Sequence, residues 1–343
     1  MAKERSLLPS EEEMSPFLEE YPDYDLSTLP NWVTQNIQTA KVYGNKKRCV
    51  LMSDGQKYHL DNKLNDLSGR DWTLFINSVF STRYPTRGQE SYAHEIRKIH
   101  PTPKPPQLMR DLINFFTKKD ELVFDSFMGV GGTLLGAALS GRRAVGIELN
   151  SEYINAYKKA TKQLGLDEQQ TLIGDCIEIL ENKKQIETCL NGEQISLMLI
   201  DPPYGNMMSK EKTGGDIDTY GKKATPFTNS DKDLGNVDKV TFLEKLKKTI
   251  ELTLPYIKLK GYIIVFIKDL QPSKKETNLL HAEVINKLNE IETIYYKGLK
   301  IWADESTKPY PYGYPFCFVA NQIHQYIMIF RKEKECKTSF RES

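Results

Sequence analysis

The stretch Glu121–Gly141, ELVFDSFMGVGGTLLGAALSG, begins with a short apolar run and passes through a glycine-rich turn into a second apolar run. The first run predicts a buried strand, and the second predicts a helix that stops at Gly141. Glycine lets the backbone turn tightly and come close to a ligand. A strand, a glycine loop and a helix in this order therefore predict a ligand-binding turn.

The same alternation of strand and helix continues along the chain. It predicts seven strands, which are ELVFDSF, RAVGIEL, QTLIGD, ISLMLID, GYIIVFIKD, ETIYYKGLKIW and QYIMIFRK. Strands that are apolar throughout and alternate with helices are typical of a parallel sheet covered on both faces. We therefore predict an α/β fold with a Rossmann-like, doubly wound, mostly parallel seven-stranded sheet.

Bulk composition excludes several classes of protein. The 343 residues include 39% hydrophobic and 27% charged side chains, as in ordinary globular proteins. No apolar run approaches the roughly 20 residues of a membrane helix, and the N-terminus lacks the apolar region of a signal peptide. The five cysteines are scattered, without a CxxC pair or a Cys/His cluster. We therefore expect a cytoplasmic protein with no membrane contact and no metal.

Charge and periodicity divide the chain into three parts. Residues 1–84 combine an acidic arm, with eight acids against two bases in residues 1–30, and an accessory lobe with short apolar patches. Residues 85–335 carry the regular pattern of strands and helices, and residues 336–343 are a tail. Residues 206–238 lack apolar periodicity. A loop of that length in a compact domain is usually functional or disordered, so we predict a flap there.

A basic stretch lies at residues 81–119, which hold eight bases against three acids, although the net charge of the whole chain is only +1. A local excess of positive charge can bind phosphates. The candidate contacts to nucleic acid are Arg83, Arg87, Arg97 and Lys98. A charged surface that is simply solvated fits the same pattern.

The ends of the first three strands suit an adenosine-containing ligand, because ligands of doubly wound sheets bind outside the carboxyl ends of the strands. Glu148 can accept hydrogen bonds from both hydroxyls of a ribose. Asp175 can accept one from an adenine amine, while the Cys176 N–H donates to a ring nitrogen. The candidate cofactor residues here are Asp125, Ser126, Phe127, Gly129, Gly131, Thr133, Glu148, Leu149, Asp175 and Cys176. These three ends alone also fit a nicotinamide dehydrogenase.

The fourth strand ends in Asp201-Pro202-Pro203-Tyr204, and this exit separates the two chemistries. Two successive prolines make a stiff exit with free carbonyl oxygens. The amine of a nucleobase is a poor nucleophile, and the Asp201 carboxylate and the Pro202 carbonyl can accept its N–H bonds and aim its lone pair at a methyl group. Tyr204 offers a face on which the base can stack. Hydride transfer needs none of these groups, so a methyl transfer is indicated.

These motifs resemble those of the S-adenosylmethionine (SAM)-dependent DNA amino-methyltransferases of the N6-adenine/N4-cytosine family. DSFMGVGGT resembles the family's cofactor loop, DPPY its catalytic tetrapeptide, and HPTPKPPQLMRDLI the segment before the loop. The resemblance covers roughly residues 95–333. It implies the SAM-dependent methyltransferase fold, with Thr102, Lys104 and Pro105 near the methionine end of SAM. The chain departs from the pattern in its motif order, with the cofactor loop first, and in Gly132, where a polar or small residue is usual.

The resemblance implies transfer of a methyl group from SAM to the N6 amine of adenine in DNA, after the base is flipped. An acid at the first position of the tetrapeptide is the family's more usual choice for adenine. Cytosine N4 is the alternative, and an RNA amino-methyltransferase or a catalytically silent SAM-binding subunit are others. A prokaryotic or phage-encoded protein is also implied, as a homodimer or beside a restriction or defence partner.

The segment that recognises the target has no motif of its own. Residues 300–324, KIWADESTKPYPYGYPFCFVANQIH, hold five aromatic side chains between Tyr310 and Phe318. Such a stretch can line a groove beside the target base. It is equally typical of an aromatic loop that packs against its own domain.

Overall fold

The computed structural model describes Ser10 and residues 13–205, 227–269 and 279–336. The chain divides into two compact units, a smaller one in residues 1–77 and 114–119 and a larger one in residues 78–113 and 120–343. Parts of three predicted segments lie outside the described residues. They are residues 206–226 of the flap, residues 337–343 of the tail, and residues 1–9, 11 and 12 of the arm.

In its described residues, the smaller unit contains four short antiparallel strands. They pair in chain order and are Ser15–Pro16 (β1), Lys41–Tyr43 (β2), Cys49–Leu51 (β3) and Lys57–His59 (β4). This unit has its own hydrophobic core, made of Phe17, Leu29, Val33, Ile37, Ala40, Val42, Val50 and Met52. The helix Gly69–Phe75 begins with a capping box, in which the side chains of Ser68 and Asp71 each accept from the backbone N–H of the other.

The larger unit is organised around one sheet. Its strands are Val79–Thr82 (β5), Leu122–Asp125 (β6), Arg143–Glu148 (β7), Gln170–Ile173 (β8), Ile195–Ile200 (β9), Ile257–Ile267 (β10), Ile294–Asp304 (β11) and His324–Lys332 (β12). They pair in the order β5-β11-β12-β10-β9-β6-β7-β8. β6 to β10 are parallel to one another, and β12 is antiparallel to β10 and β11. The predicted Rossmann-like, doubly wound, mostly parallel sheet is confirmed.

The number of strands differs from the prediction. Among the described residues the sheet has eight strands rather than seven, because β5 adds an edge strand parallel to β11. β5 has four residues whose exposure alternates, and so short a strand has no periodicity that separates it from a loop. It lies inside residues 1–84, which the sequence assigned to the accessory lobe. The division of the chain into functional parts stays a prediction.

The centre of the sheet positions the site. β6 and β9 are neighbours, and every residue of both strands is buried. From β6 the order runs outward to β7 and β8, whereas β9 and β10 lie on the other side. At such a switch point the loops that leave adjacent strands diverge and open a crevice. Asp125 ends β6 and Asp201 follows β9, so the two predicted acids come to the same crevice.

The described helices are Phe17–Glu20, Asn31–Thr34, Gly69–Phe75, His94–Arg97, Pro106–Phe116, Gly132–Leu139, Ser151–Leu164, Cys176–Glu181, Lys183–Leu190, Lys239–Thr253 and Leu280–Leu288. The helix Ser151–Leu164 stops at Gly165, whose φ is 64°. Its N-cap is Asn150, whose side chain accepts from the Glu152 N–H. Among the helices of the described residues, none is long and apolar enough to cross a membrane.

Candidate active site

A cleft at the carboxyl ends of β6 and β9 collects residues from three separate motifs. It is lined by His100, Thr102, Pro103, Lys104, Met109, Asp125, Phe127, Met128, Gly129, Val130, Gly132, Thr133 and Asp201. The HPTPKP segment, the glycine loop and the first residue of the DPPY tetrapeptide therefore meet at one place. Thr102 is exposed there, and Pro105 and Phe127 are half-buried.

Two glycines of the loop are required by the groups that lie against them. Gly131 has φ 75°, and a Cβ on it would overlap the ring of Tyr157. A Cβ on Gly132 would lie 2.9 Å from the carbonyl oxygen of Lys104. This close approach joins the glycine loop to the HPTPKP segment. It explains why Gly132 departs from the family pattern, because no side chain fits at this position.

Glu148, at the end of β7, is oriented by backbone donors. Its Oε2 accepts from the Gly129 N–H and its Oε1 from the Asn150 N–H, both at 2.8 Å. The half-buried Leu149 also donates its backbone N–H to this carboxylate. Each carboxylate oxygen has capacity for a further hydrogen bond, so both can accept from the hydroxyls of a ribose. Burial raises the pKa of Glu148 to about 7.

Asp125 lines the cleft, and both Asp125 and the neighbouring Ser126 are buried. The Asp125 carboxylate accepts from the Phe127 N–H at 2.9 Å and from the Thr133 hydroxyl. Burial raises the pKa of Asp125 to about 7 despite these bonds. In the described part of the chain, the buried hydroxyl of Ser126 has no hydrogen-bond partner. A buried polar group without a partner is costly, and this one directly follows Asp125 at the cleft.

Asp175 and Cys176 stand at the start of the helix Cys176–Glu181, just beyond β8. Asp175 Oδ1 accepts from the N–H groups of Ile177 and Glu178 at 2.9 and 3.0 Å, so Asp175 is the N-cap. These bonds orient the carboxylate, and Oδ2 is the oxygen on which the adenine amine can be bound. Cys176 is the first helical residue, whose N–H has no acceptor within the helix. Burial raises the pKa of its thiol to about 12, so the backbone N–H is the group that it offers.

Asp201 is held by two side chains. Lys104 Nζ lies 2.5 Å from Asp201 Oδ2, and the Tyr204 hydroxyl donates to Asp201 Oδ1 at 2.7 Å. Burial and the negative charge of Asp201 raise the pKa of Tyr204 far above its usual value, so the phenol remains a donor. Pro202 is buried and Pro203 is half-buried. The stiff exit predicted from the tetrapeptide therefore carries a carboxylate whose orientation is determined by contacts on both oxygens.

The ion pair of Lys104 with Asp201 was not foreseen from the sequence. Lys104 was predicted near the methionine end of SAM, and its side chain is only 8% exposed. Its ammonium also lies 5.2 Å from the centroid of the Phe266 ring, on β10. The two ends of the ion pair are 97 residues apart. No local pattern could have joined them, and only the adjacency of the two loops reveals the pair.

Arg97 was predicted to contact nucleic acid, and this prediction is wrong. Arg97 is 1% exposed, and its guanidinium donates from Nε to the Val130 carbonyl at 3.2 Å and from Nη2 to the Lys104 carbonyl. A side chain without solvent access cannot reach a phosphate. Burial also lowers the pKa of Arg97, to about 10. Arg97 joins the HPTPKP segment to the glycine loop. In the sequence, a buried arginine within a basic stretch looks the same as an exposed one.

The other three residues predicted to bind nucleic acid are exposed. Arg83 and Arg87 follow the edge strand β5. Lys98 forms a surface ion pair with Glu95 at 2.5 Å. Exposure permits phosphate contacts without demonstrating them, so these assignments stay predictions.

His100 contributes to the wall of the cleft. Its Nδ1 accepts from the Thr102 N–H at 3.2 Å, and its ring stacks on Phe227 with centroids 5.0 Å apart. Burial, together with the positive charges of Lys104 and Arg97, lowers the pKa of His100 to about 3. The imidazole is therefore neutral at physiological pH. Phe227 belongs to the described end of the predicted flap, so this end lies against the cofactor cleft.

The arrangement fits an adenosine-containing methyl donor. Glu148 offers two acceptors suited to ribose, Asp175 and Cys176 offer an acceptor and a donor suited to adenine, and Ser126 offers a buried hydroxyl that needs a partner. The sheet order and the glycine turn define the Rossmann-like fold of SAM-dependent methyltransferases.

Comparison with known families gives the same class. The model of a DNA methylase family, N6_N4_Mtase, matches residues 27–159. This match spans less than half of the chain and ends before the strand that leads to Asp201. It includes the HPTPKP segment, the glycine loop and Glu148.

The relatives include a tRNA dimethyltransferase and Type II methyltransferases. The chain is 29% identical over 144 residues to the tRNA (guanine(10)-N2)-dimethyltransferase of Methanocaldococcus jannaschii. The aligned residues cover 40% of this chain and 39% of that protein. The chain is 35% identical over 145 residues to the Type II methyltransferase M1.MboII of Moraxella bovis, with 42% and 50% covered. It is 38% identical over 128 residues to the Type II methyltransferase M2.DpnII of Streptococcus pneumoniae, with 37% and 39% covered. The chain thus spans no more than half the length of these relatives.

Solved structures with a similar chain path include TrmN from Thermus thermophilus, with a TM-score of 0.43 and 12% identity over 69% of this chain and 52% of that one. NSun6 from Pyrococcus horikoshii has a TM-score of 0.41 and 12% identity, over 68% of this chain and 53% of that one.

The resemblance recognised in the sequence is confirmed: residues 27–159 match the DNA methylase family, and the chain is similar to Type II methyltransferases. The predicted cofactor, S-adenosylmethionine, is confirmed by the same family match.

Proposed function

We propose that this protein transfers a methyl group from SAM to the N6 amine of adenine in DNA, after the base is flipped out of the stack. The observation that carries the proposal is the oriented Asp201 carboxylate beside the cofactor cleft, with Lys104 on one oxygen and the Tyr204 hydroxyl on the other. By the family resemblance, an acid at this position is the more usual choice for adenine, and cytosine N4 is the alternative.

The chain's contribution to the chemistry is positioning. SAM supplies the methyl group when it is bound. The Asp201 carboxylate and the Pro202 carbonyl accept the two N–H bonds of the target amine, which favours a tetrahedral nitrogen and directs its lone pair. A carboxylate has room for about four hydrogen bonds. Asp201 can therefore bind the amine while it keeps the contacts to Lys104 and Tyr204.

Lys104 has a second effect on the same carboxylate. A carboxylate in a largely buried place is costly unless a partner compensates its charge. Lys104 provides that charge from the HPTPKP segment, which also carries the cofactor residues Thr102 and Pro105. The proposal therefore assigns Lys104 a positioning role toward Asp201 as well as its predicted role toward SAM.

Methylation assays test the proposal directly. The protein is incubated with isotope-labelled SAM and either DNA or RNA, and the nucleosides are separated and identified by mass spectrometry. N6-methyladenine in DNA is expected. N4-methylcytosine alone would contradict the choice of base, and no product with any nucleic acid would contradict an amino-methyltransferase.

Variants of Asp201 provide the matched control. Asp201→Ala is expected to lower kcat at least about 10³-fold, because an oriented group at the reacting centre is lost. Binding of S-adenosylhomocysteine should remain within about threefold of wild type, since Asp201 acts on the amine. Asp201→Asn preserves the shape of the side chain and separates the loss of charge from a folding defect.

RNA is the second candidate substrate. Two of the relatives are tRNA (guanine(10)-N2)-dimethyltransferases, and a guanine N2 amine is conjugated to its ring like the amine of adenine. The same acceptors could bind it. N2-methylguanosine or a methylated adenosine in the RNA arm of the assay would favour this substrate.

The division of the chain belongs to the same proposal. Residues 85–335 would carry out the methyl transfer, and residues 1–84 would be accessory. Residues 206–238, of which 227–238 are described, would be the flap beside the flipped base. A prokaryotic or phage-encoded cytoplasmic enzyme is proposed, as a homodimer or with a restriction or defence partner. Size-exclusion chromatography with light scattering measures the oligomeric state.

A further inference from the structure

The connection between β11 and β12, residues 305–323, exposes an aromatic surface. Tyr314, Phe316 and Phe318 are 80, 92 and 91% exposed. Aromatic side chains usually bury most of their area in a core or an interface. Three of them at alternate positions in solvent form an apolar patch of the kind that marks an interaction site.

The loop that carries them is structured. At its neck, the Tyr310 N–H donates to Asn321 Oδ1 at 2.8 Å, and Asn321 Nδ2 donates to the Tyr310 carbonyl at 2.9 Å. At its tip, the Gly313 carbonyl accepts from the N–H groups of Phe316 and Cys317 at 2.7 and 2.8 Å. The aromatic side chains are therefore displayed on a closed loop, which reduces the entropy lost when a partner binds.

The sheet places this loop on the catalytic edge. β10 runs parallel to β9, and β12 runs antiparallel to β10, so β12 begins at the carboxyl edge of the parallel strands. The register shows this directly, because Ala303 at the end of β11 pairs with His324 at the start of β12. The loop thus leaves the sheet at the edge where Asp201 lies.

The start of β12 is held firmly beside that edge. Tyr326 stacks on His281 with ring centroids 3.9 Å apart. His281 Nδ1 lies 2.7 Å from the carboxylate of Asp269, which follows β10 and is buried. These contacts anchor the C-terminal base of the loop at this edge of the sheet.

The edge strand β5 brings positive charge to the same place. Thr82 pairs with Asp304 in parallel register, the Glu305 N–H donates to the Thr82 carbonyl at 2.9 Å, and Trp302 Nε1 donates to Thr82 Oγ1 at 2.7 Å. Arg83 follows at once, and Arg87 lies four residues further on, both exposed. Residues 305–323 themselves contain only Glu305 and Lys308 as charged side chains. The start of this loop, which carries few charges, therefore lies beside the end of the strand that leads to Arg83.

We propose that residues 305–323 form the DNA-recognition loop, which rests on the proposed function. The exposed rings of Tyr314, Phe316 and Phe318 contact bases next to the flipped nucleotide, and Arg83 and Arg87 bind the adjoining phosphates. Base stacking on an aromatic residue strengthens binding roughly 5- to 150-fold per base. Arginine near phosphates supplies the salt-dependent part of the affinity.

Two variants separate the two halves of this surface. Tyr314→Ala/Phe316→Ala/Phe318→Ala should weaken binding to a fluorescent DNA duplex by about 30-fold or more, with an unchanged salt slope. Arg83→Glu/Arg87→Glu should weaken binding and reduce the slope of log affinity against log salt by about 2. Fluorescence anisotropy measures both. Affinity for S-adenosylhomocysteine should stay at the wild-type value in each variant.

Tyr295→Ala is the matched control. Tyr295 is also an exposed aromatic residue of β11, but it lies near the start of that strand, at the opposite edge of the sheet. Its replacement should leave DNA affinity unchanged. An equal loss in Tyr295→Ala and in the triple variant would overturn the proposal.

The outcomes distinguish this inference from the function on which it rests. If the wild type methylates DNA and the triple variant binds DNA equally well, the loop is not the recognition element and the function stands. If the wild type neither binds nor methylates DNA, both fail. If light scattering shows a dimer that the triple variant dissociates while DNA affinity is unchanged, the loop is an interface between two copies, and the proposal is overturned.

Discussion

The two sides of the switch point are built differently. On the cofactor side, between β6 and β8, the carboxylates of Asp125, Glu148 and Asp175 each accept from a backbone N–H two residues further on. On the target side, Asp201 is paired with Lys104, 97 residues away, and β5 is joined to β11 by a hydrogen bond between Thr82 and Trp302, 220 residues apart. Each carboxylate on the proposed cofactor side thus has a local contact, whereas Asp201 on the proposed target side also needs a partner that only the assembled fold supplies.

Breaking the ion pair of Lys104 with Asp201 should have the largest effect on stability. Lys104→Met leaves the carboxylate of Asp201 without its cation in a place where it is 17% exposed. We expect the free energy of unfolding to fall by about 3–5 kcal/mol, as measured by urea denaturation. Lys98→Met, which breaks an exposed pair, should change it by less than about 1 kcal/mol.

The double variant Lys104→Met/Asp201→Leu sharpens the comparison. It removes both charges, so it should be less destabilised than the sum of the two single variants. Strict additivity would mean that Lys104 acts on the cofactor alone, as the sequence resemblance implied. Affinity for S-adenosylhomocysteine in each variant separates the two roles.

On the cofactor side, the largest effect should come from Glu148. Burial raises the pKa of Glu148 to about 7, and the ionised form is the better acceptor for ribose hydroxyls. Affinity for S-adenosylhomocysteine should therefore fall as the pH falls from 8 through 7 to 5.5. Glu148→Gln should weaken binding at pH 8 by about 1.5–3 kcal/mol and flatten this pH dependence. Isothermal titration calorimetry across the pH range measures both.

The same raised pKa predicts the opposite trend for stability without ligand. The folded protein holds a proton on Glu148 up to about pH 7, whereas the unfolded chain releases it near 4.5. The free energy of unfolding should therefore decrease as the pH rises between these values. Asp125, whose pKa burial also raises to about 7, should contribute the slope that remains in Glu148→Gln. A stability that rises across this window would contradict both assignments.

Replacement of Gly132 tests whether a change in the glycine loop also affects the segment that carries Lys104. In Gly132→Ala the new methyl group would press on the Lys104 carbonyl, and we expect a loss of about 1–3 kcal/mol in stability. Both cofactor affinity and turnover should decline, because the displaced segment carries Thr102 and Lys104. Gly69→Ala is the control, since a Cβ there meets nothing within 4 Å.

The smallest effect is expected for Tyr204→Phe. The hydroxyl donates to Asp201 at 2.7 Å, and loss of one such bond costs about 1 kcal/mol. We expect kcat to fall roughly fivefold with little change in DNA affinity, because the ring remains able to stack. Unchanged kcat would indicate that stacking is the whole role of Tyr204, and a large rise in KM for DNA would contradict both assignments.

Much of the fold could be predicted from the sequence. The seven longer strands, the glycine turn and the carboxylates at the strand ends follow from patterns that span fewer than about 20 residues. Strand β5 was missed because four residues with alternating exposure carry too little signal. Arg97 was misassigned because a charge in a basic stretch reveals nothing about burial, and its two carbonyl acceptors come from separate loops.

By itself, the sequence determined which groups the protein possesses: a glycine turn, an acid at the end of β7 and a rigid DPPY exit. Their properties are local because prolines, glycines and N-caps act on their own neighbours. Only the tertiary structure decided which of these groups touch. The pairing of Lys104 with Asp201 and the pairing of β5, which leads to Arg83, with β11 both depend on strand order. Strand order is set by the burial of whole apolar faces, and that is a property of the assembled sheet rather than of any one segment.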